Sequence, residues 1–177
     1  KYIGDAIMAL FDSSDEAVAA SIEMIRRLEV YNRDERVKFG RTPISIGVGL
    51  NTGSLMLGTI GESGRMDGTV ISDAVNLASR VEGLTKQYST PIIISEYTFR
   101  HLSNPDQHLI RQLDLVTVKG KSERVSIYEV FETDDENMRA AKHVTREKFE
   151  EALMLMKQEE FEKAHILLHE CLEICPD

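Results

Sequence analysis

The segment PISIGVGL at residues 43–50 alternates large apolar side chains with very small ones. Successive residues of a β-strand point to opposite faces, so this strand would have one packed face and one nearly bare face. Glycine inside a strand often marks a place where another backbone approaches closely. We expect the helix predicted at 72–88 to pack behind this glycine-rich strand. The two faces are formed by Ile44, Ile46, Val48 and Leu50 on one side and by Ser45, Gly47 and Gly49 on the other.

Strand-like and helix-like segments alternate through most of the chain, which favours an α+β or α/β domain at 1–132. Ser13 and Glu16 have capping-box spacing, which predicts a helix that begins there and frays by residues 33–35. The acidic run TDDEN predicts a linker at 133–144, followed by helices alone. The other expected elements are two strands around a Gly-Asp turn at 1–11, a glycine-rich hairpin-like arm at 51–69, a short buried strand at 91–95, a short helix at 96–102, and paired strands at 109–118 and 124–131.

The 177-residue chain carries a formal charge of −9, which argues against a nucleic-acid-binding protein because such proteins need a basic face. A nucleotide ligand is compatible with this charge, since a few cations in one pocket suffice. Cys171 and Cys175 are too few for a disulfide framework, so a reducing, cytoplasmic environment is the default expectation. No apolar run is long enough to cross a bilayer, and we expect no membrane contact within the chain; a membrane anchor upstream of it stays open.

A carboxylate lies between the two apolar segments of KYIGDAIMALF at residues 1–11. Aspartate is common in turns because its side chain bonds its own backbone, and this ordinary role is one interpretation of Asp5. The alternative is a rigid Mg²⁺ ligand at a hairpin tip between two buried strands. Lys1, four residues earlier, is either a solvated cation or part of the same site.

Asn76 and Arg80 are four residues apart and therefore share one face of the predicted helix at 72–88. They could simply form the solvent-exposed face of this helix. Asparagine is a poor helix former, however, and beside a fork-shaped arginine it could orient a phosphate or sugar oxygen. Lys119 lies in a VKGK turn, which is either an exposed basic hairpin tip or a place where Gly120 lets the backbone approach a ligand.

Four motifs, in their order and spacing, resemble the catalytic domains of class III nucleotidyl cyclases. They are KYIGDAIMALF, ISIGVGLNTG, TVISDAVNLASR, and DLVTVKGK followed by VSIYEV, and they cover roughly residues 1–131. The similarity is greatest to bacterial and soluble-type adenylyl cyclases. The resemblance implies that family's α+β, ferredoxin-like palm. It also implies that the fold's N-terminal strand and helices, with the first metal-binding aspartate, precede Lys1 and are not in this chain.

The resemblance implies a signalling enzyme that converts ATP to 3′,5′-cyclic AMP and pyrophosphate, at sites shared between the subunits of a homodimer. Asp5 corresponds to the second of two aspartates that bind a pair of Mg²⁺ or Mn²⁺ ions. Lys1 and Thr69 correspond to the residues that recognise the adenine base. A guanylate cyclase is disfavoured by this Lys/Thr pair, since guanylyl cyclases typically carry glutamate in place of the lysine.

Three further residues receive roles from the same resemblance. Asn76 corresponds to the residue that orients the ribose, Arg80 to the arginine that stabilises the transition state, and Lys119 to the lysine that binds the terminal phosphates. A non-catalytic cyclase-like regulatory module is the alternative from another functional class. The presence of Asp5, Asn76 and Arg80 together argues against it.

Residues 145–177 resemble one tetratricopeptide repeat, with a turn near 158–160 between two helices. A repeat would offer a surface for a protein partner, whereas the alternative is an ordinary amphipathic helical hairpin. His165 and His169 lie one turn apart with Cys171 nearby, but a solvated helix face explains them better than a metal site does. The repeat positions are occupied by Ala152, Phe161, Ala164, Leu168 and Pro176.

Overall fold

The structure is a computed structural model that describes residues 1–60, 67–117 and 124–176, with the backbone alone described at 57–60 and 67–71. The helices are α1 (Ser14–Tyr31), α2 (Asp73–Gln87), α3 (Glu96–Arg100), α4 (Glu136–Lys157) and α5 (Phe161–Ile174). The strands are β1 (Tyr2–Ile3), β2 (Ala6–Ile7), β3 (Val48–Leu50), β4 (Met56–Ile60), β5 (Asp67–Ile71), β6 (Ile92–Ser95), β7 (Ile110–Thr117) and β8 (Arg124–Val130).

Four strands form the central sheet in the order β3-β6-β8-β7. β3 and β6 run parallel, while β8 is antiparallel to both of its neighbours. The pairing of β7 with β8 confirms the two strands predicted at 109–118 and 124–131, and a bulge between Gln112 and Asp114 interrupts their register. A mixed sheet covered by helices confirms the predicted α+β class.

β6 is buried on both faces, as its continuous apolar sequence predicts. Ile92 and Ile94 pack into a cluster with α1, whereas Ile93 packs into a second cluster with α2. The strand therefore separates two layers of the core. Val18, Ile22, Ile25, Ile110 and Val130 belong to the first cluster, and Leu77, Val81, Leu113, Val125 and Ile127 to the second.

The strand predicted at 43–50 is shorter than expected, because regular strand structure begins only at Val48. The side-chain amide of Asn32 donates to the Ile44 carbonyl at 2.7 Å and accepts from the Ile44 backbone amide at 2.8 Å. These two bonds use the backbone groups with which a neighbouring strand would pair. The ladder starts where the Val48 amide donates to the Pro91 carbonyl at 2.8 Å.

β1 and β2 form a two-stranded ribbon with Gly4 and Asp5 in its turn. The prediction of two buried strands, the second reaching Phe11, is wrong: β2 ends at Ile7, and Tyr2 and Ile7 are 81% and 66% exposed. In the described part of the chain these strands pair only with each other. A lone two-stranded ribbon leaves both of its faces in solvent.

The glycine-rich arm predicted at 51–69 contains a second hairpin. β4 and β5 pair antiparallel from Met56 opposite Ile71 to Ile60 opposite Asp67. Its connecting residues, 61–66, lie outside the described chain.

α4 and α5 form the predicted helical hairpin, with its turn at 158–160. The segment predicted as a linker at 133–144 is instead helical from Glu136 onward. Asp135 caps this helix, because its carboxylate accepts from the Met138 amide at 3.0 Å. Acidic residues also suit the positive end of a helix, so the acidic composition marks a helix start here.

Candidate active site

α2 packs against β3 at backbone-contact distance, on the bare face that the sequence predicts. A Cβ atom built at Gly49 would lie 2.1 Å from the backbone nitrogen of Glu82 and 2.5 Å from the carbonyl oxygen of Ala78. A Cβ built at Gly47 would lie 2.0 Å from the Thr85 hydroxyl oxygen. We call Gly47 and Gly49 the glycine seat, because only residues without a side chain permit this approach.

Both ends of α2 have side-chain partners. The sequence predicts either Ser72 or Asp73 as the cap of this helix, and Ser72 is the cap: its hydroxyl accepts from the Ala74 amide at 3.0 Å. At the other end the Tyr88 hydroxyl donates a hydrogen bond to the Asp114 carboxylate on β7. Burial raises the pKa of Tyr88 to about 12, and the bond to Asp114 adds to this shift. α2 is therefore capped at its start and joined to β7 at its end.

Asn76 and Arg80 lie on the exposed face of α2, one turn apart, while Leu77 and Val81 point into the core. The structure thus brings these two predicted site residues together. An amide and a guanidinium at this spacing can bind oxygen atoms of one ligand, since both are hydrogen-bond donors with fixed geometry.

Asp5 and Lys1 lie on the β1–β2 ribbon, and both are exposed. Gly4 has a φ of +61°, a left-handed conformation that glycine adopts without steric cost and that places Asp5 at the tip of the turn. Behind the tip, the Met8 amide donates to the Lys1 carbonyl at 2.9 Å and extends the ribbon. The described site residues are therefore divided between two elements, the ribbon and α2.

Two predicted site residues are described in part or not at all. Thr69 lies on β5 opposite Gly58, and its backbone alone is described. Lys119 lies outside the described residues, in the connection between β7 and β8.

A divalent metal would find one suitable ligand at this site. Carboxylate oxygens are the donors that Mg²⁺ prefers, and Asp5 presents its carboxylate to solvent. Within residues 1–60, 67–117 and 124–176, no three His, Cys, Asp or Glu side chains group closely enough to hold a metal ion. Asp5 alone does not make a complete site, and the predicted pair of ions needs further ligands.

Sequence reasoning missed the polar side chains that join the end of β3 to the neighbouring helices. Asn51 follows β3 directly and bonds to α2, and Thr52, the next residue, bonds to α1 and α3. The signal was the motif LNTG, in which short polar residues and a glycine follow a strand that ends in the core. Such residues at a strand end commonly bond to the next element.

Residues 1–132 match the family described as the adenylate and guanylate cyclase catalytic domain. The match covers most of the chain, and the chain therefore belongs to this family. Cyclase catalytic domains of this family generally bind nucleoside triphosphates, use divalent metals and act as dimers.

The chain is similar to several proteins named adenylate cyclase. It is 50% identical over 136 residues to the adenylate cyclase of Anabaena cylindrica, covering 73% of this chain and 27% of that protein. It is 40% identical over 184 residues to the terminal-differentiation-specific adenylate cyclase of Dictyostelium discoideum, covering 100% of this chain and 8% of that protein. The crystal structure of the adenylyl cyclase CyaB from P. aeruginosa superposes with a TM-score of 0.58 at 33% identity, covering 73% of this chain and 69% of that chain.

The chain spans about a quarter or less of these two curated relatives. Throughout the described ranges, every helix is too short or too polar to cross a membrane.

Proposed function

We propose that this chain is the catalytic part of an adenylate cyclase, which converts ATP to 3′,5′-cyclic AMP and pyrophosphate. The observation that carries the proposal is the pair Asn76 and Arg80, exposed one turn apart on a helix whose other face is buried. The two relatives named adenylate cyclase, at 50% and 40% identity, favour ATP as the substrate.

In this reaction the ribose 3′-oxygen forms a bond to the α-phosphorus, the hydroxyl proton is released, and the bond to pyrophosphate breaks. The Asn76 amide would hold the ribose so that the attack is in line. The Arg80 guanidinium would meet the negative charge that builds on the phosphoryl oxygens, and a pre-placed donor of this kind is typically worth about 10²–10³ in rate. Lys119 would bind the terminal phosphates.

Asp5 would contribute one carboxylate to a Mg²⁺ or Mn²⁺ ion. Such an ion, when bound, lowers the pKa of a coordinated hydroxyl and counters phosphate charge. The turn at Gly4 and Asp5 suits this role, because it exposes the carboxylate away from the rest of the ribbon.

Lys1 and Thr69 would select adenine over guanine. A lysine only donates hydrogen bonds, whereas a threonine hydroxyl both donates and accepts. Lys1 can donate to N1 of adenine and Thr69 can accept from the 6-amino group, but guanine presents a donor at N1 and an acceptor at O6. One buried polar group left unpaired costs about 1–3 kcal/mol, so we expect at least about a tenfold preference for ATP over GTP.

The enzyme would act as a homodimer, with Asp5 from one subunit and Asn76 and Arg80 from the other at each site. The division of these residues between the ribbon and α2 is compatible with that arrangement. The α4–α5 hairpin would be a tetratricopeptide-like repeat that binds a protein partner. Ala152 and Ala164, which would correspond to the small positions of such a repeat, are both buried. We expect the described part of the protein to work in the cytoplasm.

Complementation between two inactive variants tests the reaction and the shared site together. Asp5→Asn and Arg80→Ala in the complete protein should each nearly abolish cyclic AMP formation. A mixture of the two should regain activity, because a mixed dimer carries one intact site. The measurement is the rate of cyclic AMP formation with Mg²⁺ and with Mn²⁺, with ATP and GTP compared by kcat/KM.

Asp12→Asn and Arg100→Ala are matched controls, since both residues are exposed charges outside the proposed site. Each should keep near-normal turnover. An unmutated protein without cyclase activity would favour the regulatory module, and equal kcat/KM for both nucleotides would refute the assignment of Lys1 and Thr69. If the mixture stays inactive although an independent label shows subunit exchange, each site lies within one chain.

A further inference from the structure

Asn51 connects three elements around the first turn of α2. Its side-chain nitrogen donates to the Ala74 carbonyl oxygen at 3.0 Å, and its side-chain oxygen accepts from the Ser95 hydroxyl at 2.7 Å. Ser95 is fully buried at the end of β6, and Asn51 itself is half-buried just after β3. One amide therefore joins the ends of two core strands to α2.

The chemistry of the partners assigns the orientation of this amide. A backbone carbonyl can only accept, so the Asn51 nitrogen must face Ala74. The Ser95 hydroxyl then donates to the Asn51 oxygen. Ser95 has a second role that restricts its position, because the same oxygen accepts from the Thr98 amide at 3.3 Å and caps α3.

The bond to Ala74 reaches α2 where the candidate site begins. Ala74 lies two residues before Asn76 and six before Arg80. The chain after Asn51 also passes close to this turn, since a Cβ built at Gly53 would lie 2.9 Å from the Ala74 Cβ.

The glycine seat and the Asn51 bridge control different movements of α2. The glycine seat lets α2 come close to the sheet. The seat has no side chain, however, that could stop α2 from sliding along the helix axis or rotating about it. A hydrogen bond to a single carbonyl in the first turn opposes both movements. An error of about 1 Å in the placement of a catalytic group can cost about 10²-fold in rate.

We infer that Asn51 is a positioning residue, which fixes the first turn of α2 against the ends of β3 and β6 and thereby the placement of Asn76 and Arg80. The inference rests on the proposed function. Asn51 would not touch the nucleotide, so its loss should lower kcat and leave KM for ATP nearly unchanged.

The test is Asn51→Asp, which keeps the shape of the side chain and replaces the donor facing Ala74 by a carboxylate oxygen. We expect kcat for cyclic AMP formation to fall by about tenfold or more, with KM for ATP within about twofold. Asn51→Ala removes the amide without adding charge. It should also lower kcat and leave KM for ATP nearly unchanged, but the fall in kcat should be smaller. Backbone amide exchange in the first turn of α2 should become faster in both variants.

Thr52→Val is the matched control. Thr52 is the next residue, equally half-buried, and its hydroxyl bonds to Ser14 at 2.9 Å and to Thr98 at 3.2 Å, thus joining α1 and α3 but not α2. Thr52→Val should lower the free energy of unfolding about as much as Asn51→Ala does, while its kcat stays within about twofold of that of the unmutated protein.

The outcomes separate the inference from the function on which it rests. An unmutated protein that makes no cyclic AMP overturns the proposed function. An active protein in which Asn51→Asp keeps kcat within about twofold, or in which Thr52→Val loses as much kcat as Asn51→Asp, overturns the role of Asn51 alone.

Discussion

α2 and α4 both pack against the same four-stranded sheet, but they are bound to it in different ways. α2 is placed by the absence of side chains at the glycine seat and by single hydrogen bonds of Asn51 and Tyr88. α4 is placed by charge: the Lys142 ammonium lies 2.8 Å from a Glu129 carboxylate oxygen on β8 and 2.7 Å from an Asp134 oxygen. Arg111 on β7 pairs with the same Glu129. We call Arg111, Glu129, Asp134 and Lys142 the ion cluster.

The two interfaces are sensitive to different changes. The ion cluster is buried, with Glu129 1% and Lys142 5% exposed, and its two cations balance its two anions. Burial by itself would lower the pKa of Lys142, but the carboxylates of Glu129 and Asp134 raise it overall. The stabilisation from Lys142 is therefore fully present at neutral pH and is lost as the pH rises through its folded-state pKa. The glycine seat has no charge and is sensitive to volume.

Removing one member of the ion cluster should give the largest loss. Lys142→Ala leaves the buried carboxylates of Glu129 and Asp134 without their common cation, which typically costs about 3–5 kcal/mol in the free energy of unfolding. Urea denaturation at neutral pH measures this. Lys148→Ala is the control, because Lys148 and Glu170 form a 2.7 Å ion pair with about half of each side chain exposed, and solvent screens such surface pairs so that they contribute little to stability. Equal losses in the two variants would contradict the buried cluster as the main attachment of α4.

Adding one methyl group to the glycine seat should give an intermediate loss. In Gly49→Ala the new Cβ meets backbone atoms of Glu82 and Ala78, which cannot rotate away, and such overpacking typically costs about 1–3 kcal/mol. Because α2 must shift, we also expect lower kcat in the cyclase assay.

Gly83→Ala makes the same chemical change on the exposed side of α2, where nothing lies within 4 Å of the new Cβ. It should raise the free energy of unfolding by about 0.5–1 kcal/mol, since alanine is the better helix former. Thermal denaturation of both variants checks the sign. A stabilised Gly49→Ala protein would show that α2 does not need the seat.

The smallest effect should come from the polar attachment at the end of α2. Tyr88→Phe removes the bond to Asp114 and should cost about 1 kcal/mol at neutral pH. Since folding raises the pKa of Tyr88 from 10 to about 12, its contribution is complete below pH 10 and is lost as the pH rises towards 12. The difference in unfolding free energy between the unmutated and Phe proteins should therefore shrink over that range. Tyr2→Phe, which removes a tyrosine hydroxyl at an 81% exposed position, is the control for the substitution itself.

Several elements could be predicted because their determinants are local. Ser13 caps α1 by accepting from the Glu16 amide at 3.1 Å, three residues away, as the capping-box spacing predicts. The buried strand at 91–95 follows from its continuous apolar sequence. The family motifs place Asn76 and Arg80 on one helix face, and the structure agrees. The roles of these two residues, like those of Asp5, Lys1, Thr69 and Lys119, stay predictions.

Other features could not be predicted because their determinants are distant in the chain. The strand at 43–50 is shortened by Asn32, twelve residues from Ile44. The segment predicted as a linker at 133–144 contains, from Glu136, the start of a helix that Lys142 joins to Glu129 on β8.

The family motifs, the caps at Ser13 and Ser72, the buried strand and the bare face of β3 can all be recognised in the sequence, since caps and side-chain alternation act over a few residues. Which polar side chains join these elements to one another depends on the tertiary structure. Asn51 reaches Ala74 over 23 residues and Ser95 over 44, and no local pattern specifies either partner. A buried polar group must find a partner to offset its lost hydration, and the folded arrangement of strands and helices decides which partner lies within reach.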